Sequence, residues 1–128
     1  MTPAFKSDLL FKDLGGFPFI LTAPLIYDCA VLNRTLTVPI GFPTDLASIP
    51  RPLWVILPPV NKYDAAAVVH DWLYQKGICT RHQADRVLNE AMEVLGVVDR
   101  ERRAIYSGVV VGAWWTWHKY RARELQGV

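Results

Sequence analysis

Up to about residue 60 the apolar residues come in short runs, and beyond it they recur at helical spacing. In the first part, Leu9–Lys12, Phe17–Ala23 and Thr35–Val38 are runs of strand length, broken by Gly15-Gly16, Pro24 and Asn33-Arg34. Apolar runs bounded by turn-forming residues predict short strands, with Asn33-Arg34 as a hairpin turn. The segment Pro39-Ile-Gly-Phe-Pro-Thr-Asp-Leu-Ala-Ser-Ile-Pro50 follows. Its prolines exclude a regular helix or a central strand. Its apolar residues need something to pack on, so an ordered loop is expected.

Three helices are predicted after residue 60. Asn61 is placed to cap the first, with Asp64 three residues on, and Gly77 ends it after Lys76. Thr80-Arg-His-Gln83 forms a capping box for the second, which ends near Gly96. Asp99 is placed to cap the third, which runs to about Arg121. The expected fold is α+β: short N-terminal strands with a hairpin, packed on three C-terminal helices. One domain is expected over 1–128, with a strand- and loop-rich part at 1–60 and a helical part at 61–123.

The polar positions of the first two helices are the most informative in the chain. With His70 at 0° on the first helix, Tyr74 falls at about 40°, Asp71 at about 100° and Asp64 at about 120°. Ala65, Val68, Val69 and Trp72 lie on the opposite, core-like side. The polar arc therefore carries an imidazole, a phenol and carboxylates, where a plain solvent face would carry Lys, Glu or Gln. On the second helix Asp85 sits at the edge of the stripe formed by Ala84, Leu88, Ala91, Met92 and Leu95. A carboxylate on a core-facing stripe is costly unless it is paired, and His70 and Tyr74 are its natural partners. An Asp that accepts from one imidazole N–H fixes the tautomer and raises the basicity of the other nitrogen. That nitrogen then serves as a general base. The alternative is a buried hydrogen-bond network with a structural role alone.

Asp64-Ala-Ala-Ala-Val-Val-His70-Asp71-Trp-Leu-Tyr74, followed by Ala84-Asp85, resembles the catalytic core of phospholipases A2 over residues 63–92. The resemblance implies that His70 is the general base for water and that Asp71 binds calcium. It also implies that Tyr74 and Asp85 hold the histidine. The phospholipases give calcium backbone carbonyls from a Gly-rich loop, whereas the corresponding segment here has the single glycine Gly41. Asp45 is then the candidate oxygen donor, making a two-carboxylate cation site with Asp71. Zinc held by His70 and two aspartates is the other metal reading. Thr44 and Ser48 lie on the same loop and are expected to face the site. Local capping of that loop is the alternative role for Asp45 and Ser48.

The wider pattern Gly-Phe-x-Thr-Asp-x-Ala-Ser-Ile-Pro, a Trp, then Ala-x-x-His-Asp-x-Leu-Tyr and Ala-Asp spans about residues 38–118. It resembles an uncharacterised family of small proteins of tailed phages and prophages. That resemblance implies a phage or prophage origin, and a location in the host cytoplasm or the virion.

Composition narrows the choices. An apolar content of 52% with 20% charged residues argues against disorder, and a net charge of +2 does not suggest a nucleic-acid partner. The N-terminus lacks the apolar core of a secretory signal, and the best apolar run, Ala104–Trp117, is too short to span a bilayer. Cys29 and Cys79 allow one disulfide or two reduced thiols. Gly108-Val-Val-Val-Gly112 suits close helix approach, either to a neighbour in the fold or to a second copy. Arg100, Arg102 and Arg103 sit unfavourably at a helix N-terminus, which suggests a partner. Trp114, Trp115 and Trp117 beside Lys119, Arg121 and Arg123 suit a membrane surface or another phage protein.

Three functions follow as expectations. The first is a phage-encoded hydrolase of the phospholipase type, with His70, Asp85 and Tyr74 as its catalytic group and a cation at Asp71. The second is a non-enzymatic tail, virion or accessory protein in which the same cluster is structural or metal-binding. The third is a host-interaction protein holding a small ligand in the same cleft.

Overall fold

The computed structural model describes residues 1–12, 19–44, 63–112 and 114–125. Two small antiparallel sheets occupy the N-terminal part. One holds β1 (Ala4–Phe5), β4 (Leu25–Cys29) and β5 (Arg34–Val38) in the order β1-β4-β5. The other holds β2 (Phe11–Lys12), β3 (Phe19–Leu21) and β6 (Pro43–Thr44) in the order β2-β3-β6. Helices α1 (Asp64–Lys76), α2 (Arg81–Val94), α3 (Asp99–Gly112) and α4 (Trp114–Leu125) follow.

Period-two burial fixes the register of the β4–β5 hairpin. Leu25, Tyr27 and Cys29 of β4 and Leu36 and Val38 of β5 are buried, and the residues between them are not. A one-residue slip would turn all five outward. Asn33 closes the connection at φ +50°, a conformation that asparagine tolerates better than most residues. The expected strands Leu9–Lys12, Phe17–Ala23 and Thr35–Val38 overlap β2, β3 and β5. The turn expected at Asn33-Arg34 ends at Asn33, because Arg34 already pairs with Cys29. Pro43 lies in β6, at a sheet edge where a missing N–H costs no ladder bond.

The buried side of the β4–β5 sheet packs on α1, and α1 packs on α2. Val68, Val69 and Leu73 of α1 share this core with Val87, Leu88, Ala91 and Met92 of α2 and Ile105 and Val109 of α3. The α1–α2 connection is tight for reasons visible in its residues. Gly77 takes φ +64° and its N–H donates to the carbonyl of Leu73. The Thr80 hydroxyl accepts from the amide of Gln83 at 3.1 Å, and the Gln83 side chain accepts from the amide of Thr80 at 2.9 Å.

Three helix ends differ from expectation. The N-cap of α1 is Tyr63, which makes no side-chain capping bond, so the helix starts later than a cap at Asn61 requires. Asn61 itself lies outside the described residues. Asp99 is the first residue of α3 rather than its cap, since the amide of Arg102 already donates to the carbonyl of Val98. The last predicted helix, ending near Arg121, is found as α3 and α4 on either side of residue 113 and continues to Leu125. Among the described residues, no helix is long and apolar enough to cross a membrane. Cys29 and Cys79 are both free thiols.

Candidate functional site: a buried histidine–aspartate–tyrosine cluster

Residues 70 and 74 are one helical turn apart, so α1 stacks their side chains on one face, with ring centroids 4.2 Å apart. The short connection returns α2 along α1 and brings Asp85 to that face. His70 Nε2 lies 2.8 Å from Oδ1 of Asp85, and the Tyr74 hydroxyl donates to the same oxygen at 2.5 Å. The side chains are 0% exposed for His70 and 1% for Asp85, while Tyr74 as a residue is 1% exposed. Arg81, one turn before Asp85, places Nη1 3.8 Å from Oδ2 and donates to the carbonyl of Val110 at 3.0 Å. The Asp85 carboxylate thus faces two hydrogen-bond partners and a guanidinium, which offsets the cost of burying its charge.

A carboxylate at Asp85 accepts from the Tyr74 hydroxyl and selects the tautomer in which His70 donates from Nε2. Nδ1 is left with the lone pair when the imidazole is neutral. Nδ1 is also buried and, among the described residues, has no hydrogen-bond partner. The contrast within one ring is informative: one nitrogen is held by a charged acceptor while the other has no hydrogen-bond partner among the described residues. Burial, followed by the hydrogen bond to Asp85 and its charge, pushes the Tyr74 phenol far above its ordinary range. Tyr74 therefore remains a donor throughout the neutral range.

Asp71 is turned to a different partner. Its Oδ2 accepts from the hydroxyl of Thr44 at 2.8 Å, and Nε2 of Gln75 lies 3.4 Å from its Oδ1. Thr44 is buried and sits in β6, so the second sheet reaches α1 at the residue next to His70. The structure therefore brings His70, Tyr74 and Asp85 together and joins Thr44 to Asp71. Asp45 and Ser48 lie outside the described residues. Among the described residues, no group of three or more His, Cys, Asp or Glu side chains is arranged to hold a metal ion. Asp64 is buried at the start of α1, and that burial raises its carboxyl above the usual range.

Two structural anchors are not evident from the sequence. Glu90 lies on the side of α2 facing the hairpin. Its Oε1 accepts from the Tyr27 hydroxyl at 2.6 Å and the Ala30 amide at 3.0 Å, and its Oε2 accepts from the Val31 amide at 3.0 Å. Arg121 of α4 donates from Nη2 to the carbonyls of Tyr74 and Gln75 at 2.8 and 3.0 Å. Trp117 sets its ring edge-on to Tyr74 at 5.3 Å, beneath the Arg121 guanidinium at 4.4 Å. Arg102 is likewise structural. It pairs with Asp99 at 2.9 Å and donates to Asn89 at 3.1 Å. A groove of about 750 Å³ lies elsewhere, lined by His82, Arg86, Asn89, Glu93 and Tyr106 among others, and none of the cluster residues lines it.

The fold and cluster define an α+β protein in which a helix pair buries an imidazole–carboxylate–phenol group. The chain belongs to the family described as "Protein of unknown function (DUF1353)", whose family model matches residues 19–109. That span contains Thr44, His70, Asp71, Tyr74, Asp85 and Glu90, and stops short of α4. No curated protein and no solved structure matches the chain. The likeness to phospholipases A2 therefore rests on the helical motif alone.

Proposed function

We propose that this chain is a phage- or prophage-encoded hydrolase of the phospholipase A2 type, with His70 as its general base. The observation that carries the reading is the buried Nδ1, without a hydrogen-bond partner among the described residues, of a histidine whose Nε2 is held by Asp85. A cluster with only a structural role gains nothing from that arrangement, because an unsatisfied buried polar atom costs about 1–3 kcal/mol. A base needs a free lone pair. Nδ1 takes a proton from water, the water oxygen forms a bond to the ester carbonyl carbon, and the ester C–O bond breaks as the tetrahedral intermediate collapses. The proton then passes from Nδ1 to the departing alkoxide. Asp85 stabilises the transient imidazolium, and Tyr74 keeps Asp85 in position.

The described residues do not by themselves fit a calcium ion. A hard cation takes six to eight oxygens, whereas Asp71 is the carboxylate next to His70 and already accepts from Thr44, with Gln75 close by. A second reading is a virion or accessory protein in which the cluster locks α1 to α2. The depth of His70 and Asp85 favours it, and the unpartnered Nδ1 counts against it.

The test is hydrolysis of a chromogenic short-chain ester and of phosphatidylglycerol vesicles, with calcium and with chelator, comparing wild type with His70→Asn. Turnover that disappears in a folded His70→Asn variant supports the reading. Absence of turnover under every condition overturns it.

A further inference from the structure

The groove of about 750 Å³ runs along the outer face of α2, and its volume is that of a small-molecule site. At 100° per residue His82, Arg86, Asn89 and Glu93 fall within about 60° of one another, so they form one polar stripe along the groove. Tyr106 of α3 and Val31 of the hairpin line it as well. The groups already engaged decide what the groove can hold. Glu90 stands four residues after Arg86 and is its natural ion-pair partner. Both Glu90 oxygens are turned to the hairpin instead, where they accept from the Tyr27 hydroxyl and the Ala30 and Val31 amides. Arg86 makes no hydrogen bond or ion pair among the described residues, and the same holds for His82 and the Tyr106 hydroxyl. Oδ1 of Asn89 accepts from Nε of Arg102 at 3.1 Å, which leaves the amide NH₂ of Asn89 to donate.

We propose that this groove binds a phosphate monoester whose organic part carries hydroxyl or amino donors. The uncommitted groups at one end are donors: the Arg86 guanidinium, the Asn89 amide, the Tyr106 hydroxyl and the His82 ring. The planar fork of an arginine matches two oxygens of an oxyanion. A carboxylate would be used up by that fork, whereas a phosphate has a further oxygen for Asn89 or Tyr106. The charge of Glu90 is met by its three hairpin donors, so it does not cancel Arg86. Glu93 is the carboxylate left over, and it stands about 10 Å along the helix axis from Arg86. As an acceptor alone, it suits hydroxyl or amino groups at the other end of the ligand. None of these residues belongs to the histidine cluster, so the proposal stands or falls separately from the hydrolase reading.

The experiment titrates the isotopically labelled full chain with glucose 6-phosphate, inorganic phosphate and glucose, and follows the amide resonances. Saturable shifts are expected with glucose 6-phosphate, centred on the amides of His82, Arg86, Asn89, Glu93 and Tyr106. Inorganic phosphate should bind the same amides more weakly, and glucose should not bind. Arg86→Gln should weaken both phosphate ligands about tenfold. Glu93→Gln should weaken glucose 6-phosphate and leave inorganic phosphate unweakened. Both positions are exposed, so unchanged unfolding midpoints verify that the variants are folded. Shifts that do not saturate, that centre on His70 and Asp85, or that survive Arg86→Gln would overturn the proposal. Equal affinity for inorganic phosphate and glucose 6-phosphate, or indifference to Glu93→Gln, would overturn the assignment of the ligand's organic part.

Discussion

His70 Nε2 and Asp85 Oδ1 stand 2.8 Å apart where neither side chain is more than 1% exposed. This contact joins α1 to α2 within the buried interior. Asp85→Ala leaves the His70 N–H and the Tyr74 hydroxyl without their acceptor, and a loss of roughly 3–5 kcal/mol is expected. Asp85→Asn keeps the shape and one acceptor oxygen, so its loss should be smaller, about 1–2 kcal/mol. Urea unfolding midpoints check both. Wild-type stability in Asp85→Ala would mean that the cluster does not hold the helix pair together.

Alkaline pH provides a second test. Tyr74 donates to Asp85 and Tyr27 to Glu90, and burial followed by these hydrogen bonds raises both phenols above their ordinary value of 10.0. Above pH 10 the unfolded chain releases phenolic protons that the folded chain retains. The phenols' contribution to stability is therefore intact below pH 10 and falls as pH rises beyond it, by at most about 1.4 kcal/mol per pH unit for each phenol. Cys29, pushed up to about 11 by burial, acts in the same direction from its ordinary 9.0 upward. Unfolding followed from pH 8 to pH 11 should show the decline, and Tyr74→Phe should reduce its slope by one proton. A wild-type profile flat across this range would contradict the burial argument.

The helical part of the fold was readable because its signals are local. Thr80 and Gln83 satisfy each other across a single turn, Gly77 supplies the left-handed end of α1, and His70 and Tyr74 share a face by spacing alone. Asp85 was readable because a carboxylate on an apolar stripe requires a partner. The strand β4 was hidden by Ile26, an apolar residue on its outer side, and β1 and β6 have too few residues to form a pattern. Glu90 and Arg121 were hidden for a different reason. They bond to backbone amides and carbonyls 46 to 60 residues away, and backbone groups carry no residue identity for a sequence to display.

Glu90 is the anchor for the β4–β5 hairpin. Its removal in Glu90→Ala strands the Tyr27 hydroxyl and the amides of Ala30 and Val31, and about 2–4 kcal/mol of stability should be lost. Hydrogen exchange provides the more specific readout. The Ala30 and Val31 amides should exchange faster in the variant by more than the global loss of stability accounts for. Uniform acceleration across the chain would show that Glu90 contributes to overall packing without fastening this connection.

Gly77 and Arg121 should be coupled. An alanine at position 77 would have to hold φ +64°, which costs roughly 1–2 kcal/mol for a residue with a Cβ. That Cβ would also lie 2.4 Å from Nη1 of Arg121. A guanidinium on a flexible stem can withdraw, but it then gives up the carbonyls of Tyr74 and Gln75. Gly77→Ala is therefore expected to cost about 2–4 kcal/mol in the wild-type background, combining backbone strain with the lost bonds. With Arg121→Ala already present, only the strain remains, and the cost should fall to about 1–2 kcal/mol. Unfolding free energies of the four proteins in this double-mutant cycle measure the difference. If the two substitutions add, a Cβ at position 77 does not displace the Arg121 guanidinium from the carbonyls of Tyr74 and Gln75, and the cost of Gly77→Ala is backbone strain alone.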